Sequence, residues 1–130
     1  MEPAANTPSP RPSILDAEQL EQLRELPGSG SGTLLDELIE IVVRDVPPEL
    51  ARLQAAVQKR AGAEVAQLAH RVAGSAASLG AITLRLVLHE LEQAGRKADW
   101  DTADRVCTTL EREWQMTRDA LQKSASRPAP

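Results

Sequence analysis

Ala63-Glu64-Val65-Ala66-Gln67-Leu68-Ala69-His70-Arg71-Val72-Ala73-Gly74-Ser75-Ala76-Ala77-Ser78-Leu79-Gly80-Ala81 is the stretch from which the rest of the chain is read. On a helical wheel of about 100° per residue, Val65, Leu68, Ala69, Val72, Ala76 and Leu79 share one face, so the stretch is an amphipathic helix with that face in the core. Gly80 is its natural stop. His70 falls roughly 140–150° from the centre of the apolar face and points to solvent. Around it lie Ala66, one turn below, Ala73 and Gly74, one turn above, and Ala77, two turns above. An exposed helix face ordinarily carries Glu, Lys, Gln or Arg, and here long side chains are left out around one imidazole. Gly74 even costs about 1 kcal/mol inside a helix relative to Ala. A shallow face with a histidine in its middle is what another protein would need to bring an active site up to that ring.

Working outward, the same apolar periodicity gives four more helical segments. Ser13 is the expected cap of a short first helix running through Leu15, Leu20, Leu23 and Leu26 and ended by Pro27-Gly28-Ser29-Gly30. Gly28-Ser29-Gly30-Ser31-Gly32 has the composition of a flexible linker. A second helix starts near Thr33 with Leu34, Leu35, Leu38, Ile41 and Val42, and Pro47-Pro48 is expected to kink or break it. Its pattern resumes through Leu50, Leu53 and Val57 up to Gly62. The central helix covers about Ala63 to Leu79, the fourth about Thr83 to Lys97, and the last about Asp99 to Lys123, with Asp99 or Asp101 as cap. Met1 to Pro12 holds four prolines and little to bury, and is expected to be a disordered tail. Ser124 to Pro130 reads as a frayed end. The loops are short enough to favour antiparallel neighbours. The expected fold is therefore all-α, an antiparallel up-down four-helix bundle with a short additional N-terminal helix, in one domain over residues 13–123.

Composition agrees and excludes other classes. The 130 residues suit one domain. Ala, Leu, Glu, Gln and Arg dominate, and the only aromatics are Trp100 and Trp114, expected to pack in or at the edge of the core. Fifteen Lys and Arg stand against nineteen Asp and Glu, a net charge of −4 with no basic stripe, which disfavours nucleic acid. No apolar run approaches the roughly 20 residues of a membrane span, and the Pro-rich N-terminus has no secretory apolar core. One cysteine, Cys107, excludes an internal disulfide and suits a reducing cytoplasm. It reads as a small buried residue, and His89, on the side of its helix away from Leu84, Leu88, Leu91 and Ala94, as an ordinary surface histidine. No ligand-pair spacing joins His70, His89 and Cys107 into a metal site. No triad, carboxylate pair or phosphate-cradling glycine loop marks an active site of the chain's own. Nothing beyond the bundle core demands a dimer, so a monomer is expected.

The segment Ala69 to Ala81 resembles the phosphorylation motif of histidine-containing phosphotransfer (HPt) domains, commonly written AHxLKGSSxxLGA. Leu88-His89-Glu90-Leu91-Glu92-Gln93-Ala94-Gly95-Arg96, followed by Asp99-Trp100, resembles that family's next helix and turn. The resemblance covers roughly residues 32–120. It implies that His70 accepts a phosphoryl group, typically on Nε2, from a receiver-domain aspartate and passes it to another receiver. The implied partners are a response-regulator receiver domain and a hybrid sensor histidine kinase. Phosphoryl transfer asks little of the acceptor beyond an in-line nitrogen and open access. The chain would thus need no cofactor, with Mg²⁺ supplied by the receiver, and would be a phosphocarrier without turnover of its own. A free imidazole titrates near about 6.5, so an exposed one keeps a nucleophilic nitrogen at pH 7. Ala66, Ala73, Gly74, Ala77 and Arg71 would form the docking surface. Glu92 matches a position that often holds Gln or Glu near the imidazole, and would orient the ring through Nδ1–H. One position departs from the motif. Ala73 stands where the family usually has a lysine, which would balance the roughly −1.5 to −2 charge of the phosphoryl group. The alternative is therefore a degenerate HPt module that binds a receiver or kinase without carrying phosphate.

Overall fold

A computed structural model describes residues 14–30 and 32–125, and over these the chain forms five helices: α1 (Ala17–Arg24), α2 (Leu34–Gln58), α3 (Gly62–Ser78), α4 (Ile82–Lys97) and α5 (Trp100–Ser124). No strand occurs among the described residues, only isolated bridges pairing Leu15 with Ala81 and Pro27 with Thr33. α3 packs against α2 and α4, α5 packs against the same two, and α1 lies on α2. The expected core face of α3 is buried throughout, and it meets Leu84, Leu88 and Leu91 of α4 and Val106, Leu110, Trp114 and Leu121 of α5 in one apolar cluster. Among the described residues, no helix is long and apolar enough to cross a membrane.

The start of α1 differs from the sequence reading. Asp16 is its cap, its carboxylate accepting from the Glu18 and Gln19 amides, both at 3.1 Å. Ser13 and the Met1–Pro12 tail lie outside the described residues. Leu15 precedes the helix because this segment is recruited elsewhere. The Asp16 amide donates to the Gly80 carbonyl at 2.8 Å, and the Ile14 carbonyl accepts from the Ile82 amide at 2.9 Å. Gln19 Nε2 adds bonds to the Ala77 and Ser78 carbonyls. The N-terminal segment thus satisfies end groups at the C-terminus of α3 and the N-terminus of α4, whose N-cap, Ala81, offers no side-chain bond. Gly80 is required twice over: its φ is +64°, and a Cβ there would stand 2.9 Å from the Asp16 Cβ.

α2 opens with a capping box, in which the Thr33 hydroxyl accepts from the Asp36 amide and the Asp36 carboxylate accepts from the Thr33 amide. The glycine-rich segment before it is not left loose. The Glu37 carboxylate accepts from the Ser29 amide and hydroxyl and, at 3.0 Å, from the Gly30 amide. These bonds hold the Glu37 carboxyl below the usual carboxylate range. The expected break at Pro47-Pro48 does not occur, since α2 runs through both prolines. The reason lies in which face they occupy. Val42, Val46, Leu50, Leu53 and Val57 form an unbroken buried row, whereas both prolines are exposed, as is Arg44, one of the two residues whose carbonyls lose an amide partner. Core packing on one side and water on the other outweigh the lost helix bonds.

At the other end, α5 is capped by Asp99, which accepts from the Thr102 amide at 3.2 Å. The helix includes Ser124, contrary to the expected frayed end. The Ser124 carbonyl accepts from Arg24 Nη2 at 2.8 Å, tying the last turn to α1. Residues 126–130 lie outside the described residues. Trp114 is buried, and Trp100 is half-buried beneath the Arg60 guanidinium, 5.3 Å from the ring centroid.

α3 and α4 approach closely at one point. A Cβ on Gly62 would stand 2.6 Å from the Gly95 carbonyl oxygen, and one on Gly95 would stand 2.8 Å from Val65 Cγ1 and 3.0 Å from the Gly62 carbonyl oxygen. This glycine pair sets the spacing of the two helices that carry the candidate site.

Candidate functional site

His70 projects from the middle of α3 with its side chain 76 % exposed. The helix fixes this position from below, because Ala69 and Val72 on either side of it are buried. Along the same face, Gly74 and Ala77 are exposed and Ala73 is half-buried. A Cβ built on Gly74 meets nothing within 4 Å, so this glycine is no helix-packing contact and the face above His70 stands open. Ala66 is a correction. It was expected on the open surface, but it is 7 % exposed. The close approach at Gly62 and Gly95 brings α4 over that flank of α3, so Ala66 forms part of the floor of a groove between the two helices rather than an open face.

The other wall of the site comes from α4. Glu92 is buried, and its Oε2 lies 3.4 Å from His70 Nδ1, beyond an ordinary N–H···O hydrogen bond. The same oxygen accepts from Arg96 Nη2 at 2.6 Å. The Arg96 hydrogen bond is the main cause holding the Glu92 carboxyl below its ordinary value. Burial opposes it and His70 assists. A buried carboxylate needs such partners, since an unpaired one would cost several kcal/mol. Because Nδ1 is the nitrogen facing Glu92, Nε2 lies on the far edge of the imidazole. His70, Gln67, Arg71, Gly95 and Arg96 line a shared open groove between α3 and α4.

Arg71, expected on the docking surface, turns toward α2, where its Nη1 lies 3.4 Å from Glu49 Oε1. It stands between the His70 groove and a second, smaller one formed by Ile41, Val46, Val72 and Ser75. Ile41 is 41 % exposed there. His89 is exposed on α4, and Cys107 is half-buried in α5, where burial pushes its thiol upward. Among the described residues, no group of His, Cys, Asp and Glu could hold a metal ion.

The structure brings His70 and Glu92 together as the sequence suggested. Arg96 belongs with them and was not singled out. Its signal was the Glu92–Arg96 spacing of four residues, the helical ion-pair interval. What the spacing could not show is that their shared surface faces a histidine on another helix.

Comparison with known proteins places this arrangement. A family model for the Hpt domain matches residues 37–123, which include α3, α4 and nearly all of α5. Among solved structures, the chain is similar to histidine-containing phosphotransfer protein B (HptB) from Pseudomonas aeruginosa PAO1. The TM-score is 0.76 and the identity 25 %, over 87 % of this chain and 95 % of that one. No curated protein matches. With an all-helical fold like that of a phosphotransfer protein, and a family match running the length of the helices that carry His70 and Glu92, the chain belongs to the Hpt domain family.

Proposed function

We propose that this protein is a phosphocarrier of a two-component phosphorelay, with His70 as its phosphoacceptor. The observation that carries the reading is a largely exposed histidine whose Nδ1 is backed by a buried carboxylate. With Nδ1 protonated and facing Glu92, the Nε2 lone pair attacks the phosphorus of a receiver's aspartyl phosphate. The Nε2–P bond forms, the P–O bond to the aspartate breaks, and the carboxylate leaves with the electron pair. No proton need move, because the ring becomes a phosphorylated imidazolium whose positive charge faces Glu92. Reversal onto a second receiver regenerates neutral His70. The receiver contributes Mg²⁺ and the carboxylates that hold it, and the HPt chain contributes nucleophile, geometry and docking face. It has no turnover of its own.

The partners in this reading are receiver domains, including that of a hybrid sensor histidine kinase, and the setting is the cytoplasm where such receivers act. Docking falls on the open face of Ala73, Gly74 and Ala77. The chain acts as a monomer. Its fold is an antiparallel up-down four-helix bundle, α2 to α5, with α1 as the additional helix. The two- and three-residue connections between these helices and their closed ring of contacts support this arrangement. The domain spans residues 13–123.

The test is to mix the protein with a phosphorylated receiver domain and follow acid-labile, alkali-stable label on wild type and His70→Gln. Label on the wild type alone is expected. Absence of label with every receiver tried, despite measurable binding, would replace the carrier reading with that of a module that only binds.

A further inference from the structure

The chain lacks a cation on the turn of α3 above His70, where Ala73 stands, and yet a phosphoryl group there would bring roughly −1.5 to −2 charges at pH 7. We propose that Arg96 of α4 is the counter-cation of the phosphorylated site, and that Glu92 releases it when His70 is phosphorylated. The inference rests on His70 as the phosphoacceptor.

Three observations carry it. Arg96 lines the same groove as His70. Its Nη2 is bound to the very carboxylate oxygen that stands nearest His70 Nδ1, so guanidinium and imidazole are neighbours through one shared atom. Its side chain is 57 % exposed, and Glu92 is its one hydrogen-bond partner among the described residues, so its remaining N–H donors are not held by another described residue. Arg71, the other cation of the groove, is drawn to Glu49 on α2 instead.

Charge accounting supplies the direction. With the ring neutral, as the nucleophile must be, buried Glu92 takes its positive partner from Arg96. Phosphorylation on Nε2 leaves the ring a cation at Nδ1, beside the same carboxylate. Glu92 then keeps a positive partner without Arg96, while a dianion has appeared on the other edge of the ring. A guanidinium suits the phosphoryl oxygens better than it suits a carboxylate already neutralised, because it presents several N–H groups in a planar fork. Glu92 therefore exchanges Arg96 for the imidazolium, and Arg96 turns to the phosphoryl group. The buried carboxylate stays paired in both states.

The test uses phosphoramidate as donor, so that it does not depend on a receiver. The P–N bond of the reagent breaks, ammonia leaves and the His70 Nε2–P bond forms. In a His89→Gln background, which removes the other histidine, the half-life of the His70 phosphoramidate at pH 7 is followed by ³¹P NMR. Arg96→Gln is expected to shorten it about 1.5- to fivefold, the range for a solvent-exposed charged contact, while Arg71→Gln leaves it nearly unchanged. Adding Ala73→Lys to Arg96→Gln is expected to restore the half-life. A lysine on α3 replaces the charge but no packing role of Arg96 on α4, so rescue separates counter-cation from structural support. An unchanged half-life in Arg96→Gln, or no rescue by lysine, would overturn the proposal. Failure of the wild type to take phosphate from any receiver would instead count against the relay, and the phosphoramidate arm would still read the role of Arg96.

Discussion

Two glycines inside helices should respond to the same substitution with opposite signs, and the difference tests whether the α3–α4 spacing is fixed by backbone contact. At Gly74 a new methyl meets nothing within 4 Å. Gly74→Ala therefore gains only helix propensity, about 0.5–1 kcal/mol of added stability. At Gly95 the methyl would stand 2.8 Å from Val65 Cγ1, 3.0 Å from Val65 Cβ and 3.0 Å from the Gly62 carbonyl oxygen. None of these can swing aside, since one is backbone and the others belong to a β-branched side chain that is fully buried. The helices must separate, and overpacking of this kind costs about 1–3 kcal/mol. The propensity gain near the end of α4 offsets at most about 1 kcal/mol of it. The expected net loss for Gly95→Ala is about 1–2 kcal/mol, or roughly 4–10 °C in Tm for a domain of this size. Urea denaturation followed by far-UV circular dichroism measures both, with the midpoint rising for Gly74→Ala and falling for Gly95→Ala at similar slope. If Gly95→Ala is as stabilising as Gly74→Ala, the close approach is not a constraint, and the explanation of why Ala66 is covered fails with it.

Other expectations follow from local geometry. Ala98 ends α4 with φ of +54°, so Ala98→Gly should stabilise by about 0.5–1 kcal/mol in the same assay. Arg60, with φ of +56°, should not gain from Arg60→Gly, because the change also removes its paired bonds to Asp104 and its contact with Trp100. Thr33→Ala removes one half of the capping box and should cost about 0.5–2 kcal/mol, with Thr33→Ser retaining most of it. The folded state holds Glu92 below its unfolded value of about 4.3, so its contribution is present above that pH and lost as pH falls through the lower folded value. Comparing denaturation midpoints of wild type and Glu92→Gln between pH 7 and 3 should show the variant less sensitive to acid. Equal acid sensitivity would mean that the carboxylate is not held by its partners.

Much of the fold was legible because helix burial repeats in sequence. The core face of α3, the start of α2 near Thr33, the Asp99-or-Asp101 start of α5 and the Gly80 stop each depend on residues within a turn or two of one another. Errors arose where a distant segment changed the balance. The Pro47-Pro48 pair reads as a break until the buried row on the opposite face of α2 is seen to continue past it. The Gly28–Gly30 segment reads as a loose linker until the Glu37 carboxylate gathers its amides. Ser124 reads as a frayed end until Arg24 of α1 binds its carbonyl.

The sequence by itself determined the all-helical character of this chain, the approximate extent of α3 and α4 and the exposure of His70 on a face of small residues. These follow from a period of 3.6 residues and need no knowledge of neighbours. Only the tertiary structure decided what stands behind the imidazole. The distance between His70 and Glu92 depends on how nearly two helices meet, and that depends on Gly62 and Gly95 lying opposite each other without side chains. The same approach covers Ala66 and leaves Arg96 beside the ring. A wheel gives direction around one helix axis, whereas a site shared by two helices also requires their separation and register, and contact between residues distant in the chain sets both.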